Sequence, residues 1–328
     1  MEAIKYSIVV PVYKNEDSVQ RLLEQLTRAN ELLKGRLEVV FVVDGSPDAS
    51  YERLKSSLPT TPFASQLLAH SRNFGSFLAI RNGLLKARGN YYCVMAADLQ
   101  EPITLAVDMF ELLAADKCDI TVGQRVSRDD PALSRLNSEI FWWLYRKLVV
   151  PEMPKGGVDV FGCNKIFRDK LLELEESRSS LVALIFWLGF RRESVNYKRQ
   201  RRLEGKSAWT LKKKLGYLSD SICSFTDLPI RLLVYIGTFG IVISLTAAIV
   251  VTAAKFSGMI EVSGYTATIL AISFFGAINL LSTGVIGTYA WRAYENTKNR
   301  PLGIIARETY FPPHPKQRQE QPHDPSNC

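Results

Sequence analysis

The chain has 328 residues, 47% of them hydrophobic, with 41 basic against 33 acidic side chains and a formal net charge of +8. Five cysteines without paired spacing argue against a disulfide framework, and three histidines outside any Cys/His cluster argue against a zinc site. The basic residues crowd beside long apolar runs, so a membrane surface rather than nucleic acid is the expected partner.

In chain order, the front half alternates short β-rich runs with helical patterns. "YSIVVPVY" reads as a first strand and "SVQRLLEQLTRANELL" as the helix after it. "LEVVFVVDG" and "SQLLAHS" follow as strands, then "SFLAIRNGLLKAR" as a helix, "NYYCVMAAD" as a strand, "TLAVDMFELLAAD" as a helix and "CDITVGQR" as a fifth strand. This order predicts an α/β fold, a mostly parallel sheet wrapped by helices. In such sheets ligands gather at the carboxyl ends of the strands. Polar residues recur there: Tyr13, Asn15 and Glu16, then Asp44, then Arg72 and Asn73, then Asp98 and Gln100, then Arg125 and Arg128. One of these alone is an ordinary turn or cap. Five sets on one edge predict a site.

The back of the chain is different in character. Leu211, Leu215, Leu218, Ile222 and Phe225 recur at helical spacing with Lys212, Lys213 and Lys214 beside them, the pattern of an amphipathic helix lying in a membrane interface. Leu232 to Ala254 and Val262 to Trp291 carry no charge, and each is long enough to span a bilayer as a helix. Basic residues flank the outer ends of this pair, whereas the connecting loop offers Lys255 balanced by Glu261. Positive-inside logic therefore predicts a multi-pass inner-membrane protein with the front domain and both termini in the cytoplasm. The N-terminal run "MEAIKYSIVVPVY" lacks the features of a cleaved signal. The expected divisions are a cytosolic domain over 1–205, interfacial helices over 206–230, a transmembrane hairpin over 231–291 and a partly disordered cytosolic tail over 292–328. Gly276, Ala277, Gly284 and Gly287 would let the second span pack closely, within the hairpin or in a homo-oligomer.

Asp98 and Gln100 lie two apart, so on an extended segment they share a face. Oxygen ligands so placed suit Mg²⁺ or Mn²⁺, which takes its remaining ligands from waters and substrate phosphates. A nucleotide-diphosphate substrate fits that need. "PVYKNED" has no glycine after the first strand, which disfavours a dinucleotide-binding fold, and no Walker loop is present.

The motifs "VVPVYKNE", "VVDGSPD", "RNFGSFLAIRNGLLKARG", "MAADLQEP", "GQRVSRDD", "GVDVFGCNKIFR" and "RRLEGKSAW" resemble, in order and spacing, the polyprenyl-phosphate glycosyltransferases. That family comprises the dolichyl-phosphate mannose synthases and their bacterial undecaprenyl-phosphate relatives. The resemblance implies a GT-A fold, a Rossmann-like sheet with flanking helices. It implies inverting transfer of a sugar from a nucleotide sugar, with UDP-glucose the preferred donor, to undecaprenyl phosphate. By the same resemblance Pro11, Tyr13, Glu16 and Asp44 line the nucleotide pocket, and Arg72 lies near the diphosphate. Asp98 and Gln100 bind the metal, and Asp159 matches an acidic position near the reacting centre. Arg125, Arg128, Arg135 and Ser138 hold the lipid phosphate, and a loop carrying Arg202 and Lys206 closes over the site beside the membrane.

One position departs from the pattern. The family writes Asp-Ala-Asp-Leu-Gln, and here Ala96 replaces the first acid. The site has lost one candidate ligand, which Glu101 or water would have to replace. Two other readings compete with the first. A processive polysaccharide synthase would add a Gln-x-x-Arg-Trp motif, which this sequence lacks, and a non-catalytic nucleotide-sugar-binding membrane adaptor would tolerate Ala96.

Overall fold

A computed structural model describes residues 3–127, 132–154, 157–176, 179–200, 211–257, 264–298 and 300–314. Within them the first five strands are β1 (Tyr6–Val12), β2 (Leu37–Val43), β3 (Ala64–His70), β4 (Tyr91–Val94) and β5 (Ile120–Ser127). Later strands are β6 (Phe161–Asn164), β7 (Arg192–Lys198) and β8 (Ile305–Phe311). They form one sheet in the order β7-β5-β6-β4-β1-β2-β3-β8. Strands β4, β1, β2 and β3 run parallel, so their carboxyl ends open on one edge. "LEVVFVV" is buried along its whole length, the near-continuous apolar composition that a strand covered on both faces requires.

The helices in the sheet domain are α1 (Val19–Leu32), α2 (Ser50–Ser57), α3 (Ser76–Lys86), α4 (Ile103–Ala114), α5 (Ala132–Leu148), α6 (Lys165–Glu173) and α7 (Leu181–Trp187). One core lies under α1, α2 and α4, around Leu26, Leu54 and Phe110. The other lies under α3, α5, α6 and α7, around Leu84, Tyr145, Phe167 and Ile185. All five predicted strands and the three predicted helices are present. The structure corrects one of them. "NYYCVMAAD" does not stay extended to Asp98: β4 stops at Val94, Ala97 and Asp98 form a turn, and Leu99 takes φ +56°.

Beyond the sheet come α8 (Leu211–Phe225), α9 (Leu228–Phe256) and α10 (Tyr265–Thr297). The predicted stripe on α8 is divided: Leu218 and Phe225 pack on the domain core, whereas Leu215 is exposed. Tyr217 stacks on Tyr145 of α5 at 5.6 Å between ring centroids, and both hydroxyls meet Ser180 at the start of α7. Arg292 of α10 donates to Asp220 at 2.7 Å and Ser224 at 3.1 Å, which ties α10 to α8.

Among the described residues one helix, Leu228–Ala247 within α9, is long and apolar enough to cross a membrane, against an expectation of two. Absence of charge is a weaker property than apolarity. The second uncharged run does form the 33-residue α10, but Asn279, Ser282, Thr283 and Thr288 interrupt it. After α10 the chain returns to the domain. Strand β8 pairs antiparallel with β3, an addition that the reading of 292–328 as a tail did not contain.

Candidate active site

The β1 and β2 ends are laced together by backbone donors and short polar side chains. Lys14 N donates to Ser46 Oγ at 2.8 Å, Asn15 N to Ser50 Oγ at 3.1 Å and Glu16 N to Asp48 Oδ2 at 3.1 Å. Glu16 Oε2 in turn accepts from Ala49 N at 2.9 Å, just ahead of α2. Burial pushes the Asp48 carboxyl up, but Ser46, Ser50 and Glu16 N together hold it below its ordinary value. Pro11 sits in β1 opposite Val42, and Tyr13 stands exposed beyond the strand end.

Asp44 follows β2 and is buried, at 2% exposure. It accepts from His70 Nδ1, Phe74 N and Gly75 N, each at 2.8 Å. Burial alone would raise its pKa, yet these donors outweigh burial and leave it lowered. Asn82 Nδ2 lies 2.8 Å from His70 Nε2, which fits the His70 tautomer carrying hydrogen on Nδ1. The Asp44 carboxylate is thus engaged by the last residue of β3 and by the β3–α3 loop. Gly45, at φ +56°, lets this crossing happen: a Cβ there would lie 2.3 Å from the Arg72 carbonyl carbon. The Arg72 guanidinium stacks over Phe74, 4.4 Å from its ring centre.

The β4–α4 turn supplies the acidic part. Ser18, buried at the start of α1, donates to Ala97 O at 3.1 Å and links this turn to the β1 loop. Because Leu99 lies in the left-handed region, Asp98 and Gln100 do not share a face as on an extended strand. Gln100 turns toward the end of β7. Its Oε1 accepts from Arg199 Nη2 at 2.5 Å, its Nε2 donates to Gln200 O at 3.4 Å, and its carbonyl accepts from Gln200 N at 2.8 Å. Glu101 is 3% exposed. Burial first, then the charge of Asp98, push its carboxyl up to about 7 against the pull of Arg199 and Arg125.

Arg125, near the end of β5, stands in register with Tyr197 of β7. Its guanidinium pairs with Asp159 Oδ2, its Nε donates to Tyr197 OH at 3.3 Å, and Tyr197 OH reaches Asp159 at 3.4 Å. Asp98, Gln100, Glu101, Arg125, Asp159, Tyr197 and Arg199 therefore come together beside the Asp44 and Glu16 loops. Arg128, Arg202 and Lys206 lie outside the described residues, as do the side chains of Arg135 and Ser138.

Among the described residues no group of three His, Cys, Asp or Glu side chains forms a metal cluster. Two acidic side chains, one of them with an orphaned buried oxygen, Glu101 Oε2, suit a hard cation that completes its shell with phosphates and waters.

This mixed sheet, with flanking helices and an acidic turn at the carboxyl edge, is a GT-A-type glycosyltransferase domain. Residues 7–174 match glycosyl transferase family 2, and the chain belongs to that family. It is 30% identical over 305 residues to the uncharacterized glycosyltransferase YkcC of Bacillus subtilis, covering 93% of this chain and 94% of that one. It is 29% identical over 304 residues to the uncharacterized glycosyltransferase sll0501 of Synechocystis, covering 92% and 95%. Over 307 residues it is 29% identical to the SfII prophage-derived bactoprenol glucosyl transferase of Shigella flexneri, covering 93% and 98%.

Proposed function

We propose that this glycosyltransferase moves a sugar from a nucleotide sugar, with UDP-glucose the preferred donor, onto a polyprenyl phosphate at a membrane surface. The observation that carries the reading is the presence, in one chain with the ionic sheet edge, of two long helices whose apolar side chains, among them Val234, Phe239, Ile272 and Leu280, face outward uncovered. Such surface is stable in lipid and costly in water. The similarity to a bactoprenol glucosyl transferase over nearly the whole chain supports the acceptor class. On this reading α9 and α10 form a hairpin, α8 lies at the interface, and the sheet domain stays on the cytoplasmic side as a multi-pass protein does.

The acceptor's reactivity is set by its own chemistry. A phosphate monoester with a second pKa of about 6 is largely dianionic near neutrality, so it needs placement more than deprotonation. Arg125, Arg128, Arg135 and Arg202 are suited to that placement, because guanidinium groups keep their charge and grip phosphate through paired donors, and the Lys206 ammonium adds a point charge. Asp159 fixes the orientation of Arg125. Pro11, Tyr13, Glu16, Asp44 and Arg72 shape the nucleotide pocket, and the acidic β4–α4 turn, through Asp98, holds Mg²⁺ or Mn²⁺. When bound, the cation supplies positive charge against the departing diphosphate. Direct displacement inverts the anomeric centre.

Membranes incubated with labelled UDP-glucose and then extracted with organic solvent test the reading. A single lipid-linked sugar, lost in excess chelator and in Asp98→Asn, is the expected result. A polymer would instead mark a processive synthase, and no transfer a binding adaptor. Cysteine probes at Ser257 and Ser46 test topology: an external reagent on intact cells should reach the first and miss the second.

A further inference from the structure

Glu38, inside the sheet, and Asp44, at the β2 end of the site, show how this chain matches the oxygens of a buried carboxylate with donors. Glu38 is fully buried, and its oxygens receive Ser7 Oγ at 3.0 Å, Gln66 Nε2 at 2.9 Å, Arg88 N at 2.8 Å and Arg88 Nε at 2.6 Å. Asp44 receives three donors. Glu101 breaks this pattern. It is 3% exposed, and its Oε2 has no hydrogen-bond partner, although leaving a buried oxygen unmatched costs about 1–3 kcal/mol. Its neighbours include Asp98, a second carboxylate, and Arg199, whose Nη2 is given to Gln100.

Gln100 is poorly placed to be the second ligand. Its Oε1 faces a guanidinium, which competes directly with a metal ion for the same lone pairs. The sheet edge thus holds an acid with one buried oxygen unmatched next to Asp98, and an amide whose oxygen is already taken. We propose that Glu101 is the second protein carboxylate of the cation site, in the place that Ala96 leaves without an acid, while Gln100 clasps the chain leaving β7. The inference rests on the metal-dependent reading above. Mg²⁺ and Mn²⁺ sites in phosphate-transferring proteins take one or two carboxylates and fill the remaining positions from phosphates and water. Asp98 and Glu101 meet that count. The acid has moved from two residues before Asp98 to three residues after it, and the left-handed Leu99 folds the intervening chain back.

The test uses the full-length protein in detergent, titrated with Mn²⁺ in the presence of UDP and followed by the loss of the free-ion electron paramagnetic resonance signal. Glu101→Gln is expected to weaken Mn²⁺ by at least about tenfold while UDP binding without metal stays unchanged. The double variant Ala96→Asp with Glu101→Gln should recover most of that loss, and Glu101→Asp should hold Mn²⁺ more tightly than Glu101→Gln. Wild-type Mn²⁺ affinity in Glu101→Gln, or equal affinities in the Gln and Asp variants, would overturn the assignment of Glu101 alone. Failure of the wild-type protein to bind Mn²⁺ with UDP would overturn the metal-dependent reading as well.

Discussion

Replacing Glu101 by Gln keeps the shape of the side chain and removes its charge, and the consequence for stability without metal can be worked from its surroundings. Burial and Asp98 raise this carboxyl from 4.5 to about 7 in the folded chain. Between those values the folded state holds a proton that the unfolded state has lost, so stability falls as pH rises. The charged form therefore costs nothing below pH 4.5, and its cost is complete above pH 7. At about 1.4 kcal/mol per pH unit the full effect is on the order of 3 kcal/mol. Denaturant unfolding in detergent and chelator, followed by tryptophan fluorescence from pH 4.5 to 8, measures it. Glu101→Gln should match wild type at the acidic end and exceed it by about 3 kcal/mol at pH 8. A pH-independent difference, or a variant weaker than wild type at pH 8, would refute the reasoning.

Asp159→Asn frees Arg125 from its ion pair, so acceptor efficiency should fall roughly ten- to a hundredfold without a new pH dependence. An acidic limb in the pH profile that vanishes only in this variant would instead make Asp159 a general base. Gly303→Ala would bring a Cβ within 2.7 Å of Asn82 Nδ2 and 3.7 Å of the His70 ring, pressing on the chain that ends at Asp44. The KM for nucleotide sugar should rise several-fold with kcat little changed, and identical kinetics would show that this contact is idle.

The parallel core of the fold was legible because its signals are local. Buried parallel strands such as "LEVVFVV" are apolar throughout, and helices such as α1 carry a clear periodic face. Strands β6 and β8 were not. "FGCN" is four residues long, and "IARETYF" is an edge strand with most side chains toward solvent, so neither offers a pattern. The strand-end rule that selects Arg72 and Asn73 also reaches His70, the last residue of β3, and would have found the Asp44 partner. Tyr197 and Arg199 had no such signal, since their place beside Arg125 and Gln100 depends on β7 returning next to β5. The shared face of Asp98 and Gln100 failed at a single torsion, the left-handed φ of Leu99, which no alternation rule anticipates in a leucine.

Strand β8 gives the domain an order of manufacture. Every other strand of the sheet is translated before α9 and α10, but the strand that covers the β3 edge emerges after both. Gly303, against His70 and Asn82, emerges at the same late moment. On the ribosome the catalytic sheet must therefore wait with an open edge until the two long helices have been disposed of. A chain arrested before residue 300 would keep that edge exposed, an invitation to pair with other strands. The Asp44 side of the candidate site is thus finished by the stretch of synthesis that follows α9 and α10, so a half-made chain that ends within those helices also lacks the outer brace of its β3 edge.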